Sequence, residues 1–203
     1  MLKCFSFQCF YDVFLNLTVM LEPGVPVSSI YLEKRMEGGH NCDDKERHYH
    51  VKFTAVNYAI KKGYLCGGSL ISDQWFLTAA HCWQSGPGWT HKAHLGVHPK
   101  SAKEEKHVVT EHHIYNDSLG HRHDIMMVKL PNKTTITPIQ RINCPTSLPR
   151  YSDPDCRFWS WVYNQTLYGV HSFGIHGWFY CQKASGFLDI CDYERWINDK
   201  IKT

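Results

Sequence analysis

Histidine and cysteine are the side chains of this sequence with the widest chemical range, and there are fourteen and nine of them. Histidine moves protons near neutral pH, and both residue types can bind zinc. The cysteines are scattered without a Cys-x-x-Cys pair, which argues against a zinc ribbon. The pairs His48 with His50 and His121 with His123 would each share one face of a strand and could bind zinc, but solvated polar faces explain such pairs more often. We therefore predict no metal site and no cofactor.

One segment combines both residue types, because residues 66–82 read Cys-Gly-Gly-Ser-Leu-Ile-Ser-Asp-Gln-Trp-Phe-Leu-Thr-Ala-Ala-His-Cys. This segment resembles the one that carries the catalytic histidine in trypsin-like serine proteases, which hydrolyse peptide bonds through an acyl-enzyme. The resemblance implies that His81 is the general base. It also implies a disulfide between Cys66 and Cys82, which could stabilise the fold by about 3 kcal/mol. A second segment, residues 123–130, is similar to the family's Asp-Ile-x-Leu-x-Lys-Leu and implies that Asp124 orients the histidine.

The family's nucleophile motif, Gly-Asp-Ser-Gly-Gly, occurs nowhere in the sequence. Residues 156–161 resemble the strand that opens the family's second barrel, and residues 162–170 resemble the strand just after the nucleophile. About 55 residues of the usual family length would be missing between Trp161 and Val162. They would include the serine, the oxyanion amides, the acid that receives the new N-terminus and the base of the specificity pocket. We therefore predict that the chain is catalytically inactive.

Ser160 is an alternative nucleophile, because it lies four residues after Cys156, a spacing that the family nucleophile also has from a cysteine. In that alignment Phe158, Trp159 and Trp161 would replace Gly, Asp and Gly. Bulky side chains there would block the tight turn and the oxyanion pocket, so we do not favour Ser160. The resemblance instead implies that Ser172, Phe173 and Gly174 form the strand that aligns the substrate backbone.

The beginning of the chain resembles a zymogen. Lys34-Arg35 followed by Met36-Glu37-Gly38-Gly39 is similar to the family's activation site, which implies cleavage between Arg35 and Met36. Residues 1–35 are interpreted as a degraded signal and pro-segment, with a disordered tail as the alternative. Secretion, suggested also by the scattered cysteines, is the predicted localisation.

Short apolar runs between Gly and Pro residues favour strands over long helices. Strands are predicted at 48–55, 65–70, 75–78, 93–97, 107–114, 125–130, 157–163, 167–171 and 187–190. Tyr193, Trp196, Ile197 and Ile201 share one face of a C-terminal helix, with Asp192 as its N-cap. The resemblance implies an all-β fold of two six-stranded antiparallel β-barrels with this helix, the second barrel being truncated. Residues 36–203 form the protease-like domain: a first barrel at about 36–130, a connector at 131–155 and an incomplete second barrel at 156–203.

Composition limits the choice of partners. The net charge is only +3, and no dense block of Lys and Arg suggests nucleic acid. No apolar run reaches the roughly 20 residues that span a bilayer, so no membrane association is predicted. We expect a monomer whose partners are protein or peptide substrates or inhibitors. Two alternatives to an inactive protease remain open: a truncated splice form or gene model of an active endopeptidase, and a non-enzymatic pseudoprotease that binds inhibitors or protein partners.

Overall fold

The computed structural model describes residues 43–99, 101–144, 160–163, 165–174 and 185–202. The predicted signal and pro-segment, the cleavage site at Arg35 and Met36, and residues 156–159 lie outside the described residues.

Seven antiparallel strands form the first sheet. They are β1 (His50–Asn57), β2 (Lys62–Leu70), β3 (Trp75–Thr78), β4 (Trp89–Leu95), β5 (Glu105–Val109), β6 (His112–Asn116) and β7 (Arg122–Lys129). Their order across the sheet is β5-β4-β1-β2-β3-β7-β6. Strand β4 shows why these sequences form a sheet with one inner face, because His91, Ala93 and Leu95 alternate with more exposed residues along it.

The single strand predicted over 107–114 is two strands in the structure. Strand β5 pairs with β4, whereas β6 pairs with β7 at the other end of the sheet order. The exposed residues Thr110 and Glu111 connect them, and Lys129 N donates to Glu111 O at 3.0 Å. The chain therefore changes its pairing partner within two residues, which gives the first sheet seven strands.

The second sheet is smaller and is built around one long strand, β10 (Thr166–Gly174). This strand pairs antiparallel with β9 (Ser160–Tyr163) and β11 (Ser185–Asp189), and parallel with the two-residue β8 (Gln140–Arg141). The sequence did not predict β8.

A 3₁₀ turn (Ile190–Tyr193) follows β11 and leads into helix α1 (Glu194–Ile201). The prediction of Asp192 as N-cap is wrong. The turn begins earlier, where Asp189 accepts a hydrogen bond from Cys191 N at 2.9 Å, and Tyr193 precedes α1 without a side-chain cap. Within the described ranges, no helix combines the length and apolarity that a membrane crossing requires.

Strands β3 and β7 separate two apolar cores. Phe76, Met126 and Val128 point into a core inside the first sheet, while Leu77 and Met127 point into a second core. That second core also contains residues of the second sheet and of the C-terminal segment: Val162, Leu167, Val170, Ile190, Tyr193 and Ile197. The two sheets thus share one core, and the predicted all-β class with a C-terminal helix is confirmed.

Candidate active site

His81 lies in a 3₁₀ turn, Ala80–Cys82, directly after β3. A disulfide ties this turn to the first sheet, and two hydrogen bonds hold the residues on either side of His81. Cys82 forms a disulfide with Cys66 of β2, and Cys82 N donates to Ala79 O. Thr78 Oγ1, at the end of β3, donates to Gly67 O at 2.8 Å. The backbone of His81 is therefore held on both sides, whereas its side chain remains 52% exposed.

Asp124, near the start of β7, contacts His81 through both carboxylate oxygens. Oδ1 accepts from His81 N at 2.9 Å, and Oδ2 lies 2.9 Å from His81 Nδ1. An ionised carboxylate only accepts hydrogen bonds, so Nδ1 carries the proton. In the neutral imidazole, Nε2 then has the lone pair and can accept a proton. Such an arrangement has the geometry in which a histidine can act as a general base oriented by an acid.

Ser172 is a further contact of the same carboxylate. Its Oγ donates to Asp124 Oδ2 at 2.6 Å. The pairing of β10 with β11 shifts register between His171 and Phe173, and such a bulge re-aims the side chain beside it. The resemblance implied only a backbone role for Ser172. The contact of its hydroxyl with Asp124 was missed, because nothing in the sequence marks the bulge.

Residues 172–174, the predicted substrate-aligning strand, form the end of β10. Phe173 pairs with Gly186 and Gly174 pairs with Ser185 of β11. On the opposite edge the ladder with β9 ends at Val170, which pairs with Ser160. Among the described residues, this edge of 172–174 therefore has no strand paired to it.

The electrostatics of the site follow from these contacts. The hydrogen bond that His81 donates to Asp124 raises the pKa of His81, against an opposing effect of burial. Burial alone would raise the pKa of Asp124, but the hydrogen bonds from His81 and Ser172 outweigh it, so this pKa lies below its usual value. Burial, and then the charge of His81, lowers the pKa of the neighbouring His171. The pair thus favours ionised Asp124 and protonated His81.

No hydrogen bond reaches Nε2 of His81 from any described residue. Ser160 belongs to the extended strand β9 rather than to a tight turn. The hydrogen bonds of the described chain include none between Ser160 and His81. The structure therefore joins His81, Asp124 and Ser172, and it does not join Ser160 to them.

Two disulfides are described, Cys66–Cys82 and Cys144–Cys191. Ligand atoms of Cys66, His81 and Cys82 all lie within 4.8 Å of one another. A metal site there would require thiolates, and a closed disulfide provides none. These three residues accordingly do not suit metal binding while the disulfide is intact, and only His81 among them can take part in acid–base chemistry.

Residues 36–158 match the family model described as Trypsin. Kallikrein 1-related peptidase b21 of Mus musculus is 31% identical over 152 residues, which cover 68% of this chain and 56% of that protein. Trypsin-3 of Homo sapiens is 29% identical over 137 residues, which cover 64% of this chain and 41% of that protein. The chain thus spans about half the length of the curated relatives it matches.

Solved structures share the fold. Kallikrein-related peptidase 10 aligns with a TM-score of 0.58 and 18% identity, covering 79% of this chain and 98% of that chain. A structure described as GrC aligns with a TM-score of 0.60 and 18% identity, covering 82% of this chain and 99% of that chain.

Proposed function

Because the chain belongs to the trypsin family, we propose that it binds protein or peptide segments beside His81 and does not hydrolyse them. One observation carries this proposal. The pair of His81 and Asp124 is assembled, but no described hydroxyl or thiol contacts Nε2 of His81, and Gly-Asp-Ser-Gly-Gly occurs nowhere in the sequence. His81 and Asp124 are thus proposed as the base and orienting acid of a reaction for which no described residue supplies the nucleophile.

The size of the rate loss expected without the catalytic serine supports the absence of hydrolysis. Removal of the serine alone from such a triad lowers turnover by about 10⁶, and the remaining catalysis of about 10³–10⁴ over water comes from the oxyanion hole and substrate binding. The segment that supplies the oxyanion amides in the family is absent along with the motif. Among the described residues, a histidine with a lone pair at Nε2 then has no group to activate.

The strand edge at 172–174 supports the binding half of the proposal. The side of this edge to which no described strand pairs can accept an extended peptide as an added strand, with main-chain hydrogen bonds supplying affinity. Protein inhibitors and peptide segments are the proposed partners, and no cofactor is required. We also propose that the protein is a secreted monomer and that cleavage between Arg35 and Met36 releases residues 36–203.

Hydrolysis is tested with a mixture of fluorogenic peptides that differ in the residue before the scissile bond. We expect the wild-type chain and His81→Ala to give the same background rate, with active trypsin as the positive control. A wild-type rate more than tenfold above that of His81→Ala would show a working nucleophile and overturn the proposal.

Binding is tested by amide hydrogen exchange with and without a Kunitz-type protease inhibitor. Slower exchange at residues 172–174 on addition of the inhibitor is the expected result. Unchanged exchange there at millimolar inhibitor would contradict the binding half and leave the hydrolysis result unaffected.

A second candidate is that this chain is a shortened form of an active serine endopeptidase. The observation that favours it is that segments on both sides of the Trp161/Val162 junction resemble family strands, as expected if one block were removed. Sequencing native transcripts across the junction tests it. Transcripts that insert about 55 residues with Gly-Asp-Ser-Gly-Gly would support this candidate, and an unbroken junction in all transcripts would exclude it.

A further inference from the structure

A cluster of three side chains of types that can bind metals lies in the turn between β6 and β7 and at the start of β7. Asp117, His121 and His123 form it, and we call it the turn cluster. Asp117 N donates to His121 O at 3.0 Å, and Gly120 N donates to Asp117 O at 3.0 Å. The turn is therefore closed by its own backbone, and its side chains are displayed from a defined conformation.

The carboxylate of Asp117 has one oxygen occupied by the backbone and one facing imidazoles. Oδ1 accepts from Leu119 N at 2.9 Å and from His121 N at 2.8 Å. Oδ2 lies 3.0 Å from His121 Nδ1 and 3.7 Å from His123 Nε2. The hydrogen bond from His121 N contributes most to the lowering of the Asp117 pKa, so the carboxylate is ionised at neutral pH.

Two tyrosines hold the His123 ring in place. Its Nδ1 lies 2.9 Å from the hydroxyl of Tyr193, and its ring makes edge contacts with Tyr115 and Tyr193 at 5.1 and 5.7 Å between centroids. Metal-binding histidines commonly use their second nitrogen in this way, which fixes the ring and directs the first nitrogen outward. In His123 the nitrogen left to bind a metal is Nε2, the one that faces Asp117.

The cation of this turn does not compete for the carboxylate. The Arg122 guanidinium donates to Ala80 O at 3.4 Å, and no ion pair of Arg122 with Asp117 occurs among the described residues. The turn cluster therefore combines one negative charge with two nitrogen ligands, a set that suits zinc better than calcium or magnesium.

We propose that Asp117, His121 and His123 bind one Zn²⁺ ion, with solvent completing a four-coordinate site. Zinc bonds of about 2.0–2.2 Å place tetrahedral ligand atoms roughly 3.2–3.6 Å apart. The distance from Asp117 Oδ2 to His123 Nε2 is already close to this range, whereas the 71% exposed His121 side chain would have to give up its hydrogen bond to Oδ2 and turn toward the ion. The site differs from the sequence prediction of no metal, because the sequence did not place Asp117 between the two imidazoles.

The test is isothermal titration of tag-free protein with ZnCl₂ in metal-depleted buffer, since a polyhistidine tag would itself bind zinc. One site is expected in the wild type. His121→Ala and His123→Ala should each weaken its affinity at least tenfold, and Tyr193→Phe, which removes the positioning hydroxyl, about tenfold. His113→Ala is the matched control, because His113 also faces a carboxylate, Glu111 at 3.3 Å, but in a pair with one histidine. Its affinity should stay within twofold of wild type.

Two results would overturn the proposal. One is no binding by the wild type up to millimolar zinc. The other is equal affinity in wild type, His121→Ala and His123→Ala, which would assign the ion to other histidines. If the variants do not fold, zinc-induced NMR shifts of the His121 and His123 rings in the wild type decide the question, and unshifted rings at saturating zinc contradict it.

Discussion

At the residue scale, Asp124 is the centre of the site. It accepts hydrogen bonds from His81 N, from His81 Nδ1 and from Ser172 Oγ. The sequence predicted the contact with the His81 imidazole, because His81 and Asp124 each lie in a segment that resembles a family pattern, but it did not predict the hydrogen bond from His81 N. It could not predict the hydroxyl contact of Ser172, which depends on a bulge in β10 formed by pairing with a strand further along the chain.

We predict that Asp124→Asn lowers the pKa of His81, because the hydrogen bond to this carboxylate is what raises it above 6.5 in the folded protein. NMR titration of the His81 ring measures the change. In the wild type, the stability that His81 contributes through this bond is fully present below pH 6.5 and is lost as pH rises through the raised pKa. Asp124 behaves oppositely, because its lowered pKa makes its contribution present above 3.8 and lost as pH falls through the folded value. An unchanged His81 pKa in the variant would contradict the described pair.

At the element scale, the strands that alternate or lie in long apolar runs were predictable, and the short or interrupted ones were not. β3 lies where the sequence predicted it, at Trp75–Thr78. The two residues of β8 carry no pattern of their own and pair only because β10 lies beside them. The break between β5 and β6 likewise depends on which strands are available at each end of the sheet.

The disulfide between Cys66 of β2 and Cys82 gives a second prediction. Replacing Cys66 and Cys82 together by Ala should lower the free energy of unfolding by about 3 kcal/mol, the value expected for a closed loop of about 15 residues. Urea denaturation measures it. Because the turn of His81 is tied to β2 through this bond, the NMR signals of His81 should also broaden or shift. A change below about 0.5 kcal/mol would show that the turn is held by its hydrogen bonds alone.

A stack of rings beside this turn gives a third prediction, on pH. Trp83 lies between His91 and His112, with centroids 3.7 Å apart on each side. Burial, and then the charge of His112, lowers the pKa of His91 to about 4. Between pH 6.5 and about 4 the unfolded chain would bind a proton that folded His91 does not, so stability should fall as pH falls through this window.

We expect the free energy of unfolding at pH 5 to be about 1–2 kcal/mol below that at pH 7 on account of His91. His91→Phe, which keeps a ring beside Trp83 but cannot titrate, should reduce this difference, although it removes the acceptor of Gln84 N. Equal pH dependence in wild type and His91→Phe would exclude His91 as the titrating group.

At the scale of the whole molecule, β3 and β7 connect the two sheets because their side chains enter both cores. This is why the start of β7 can hold Asp124 against His81 of the first sheet and Ser172 of the second. The fold class could be predicted from the sequence, because its segments resemble those of trypsin-like serine proteases. The sharing of the second core with the C-terminal segment followed only from the structure, since the apolar face of α1 does not specify what it packs against.

The shared core predicts cooperative unfolding. Ile197→Ala, at a fully buried position of α1, should lower the free energy of unfolding by about 2–5 kcal/mol. Native-state amide exchange should show the loss in both β1 and β10. Ile60→Ala, at a residue that is 55% exposed, is the control and should cost less than about 0.5 kcal/mol. A loss confined to β10 would mean that the sheets unfold independently.

The central proposal for the whole molecule is that His81 and Asp124 are assembled without a nucleophile. A fluorophosphonate probe tests this claim most directly, because it reacts covalently with serines that a neighbouring histidine activates. After incubation with the folded chain, intact mass spectrometry and peptide mapping would locate any adduct, with active trypsin treated in parallel. We expect the probe to label trypsin and to form no adduct on this chain. An adduct on Ser160, or on any other serine, that disappears in His81→Ala would contradict it.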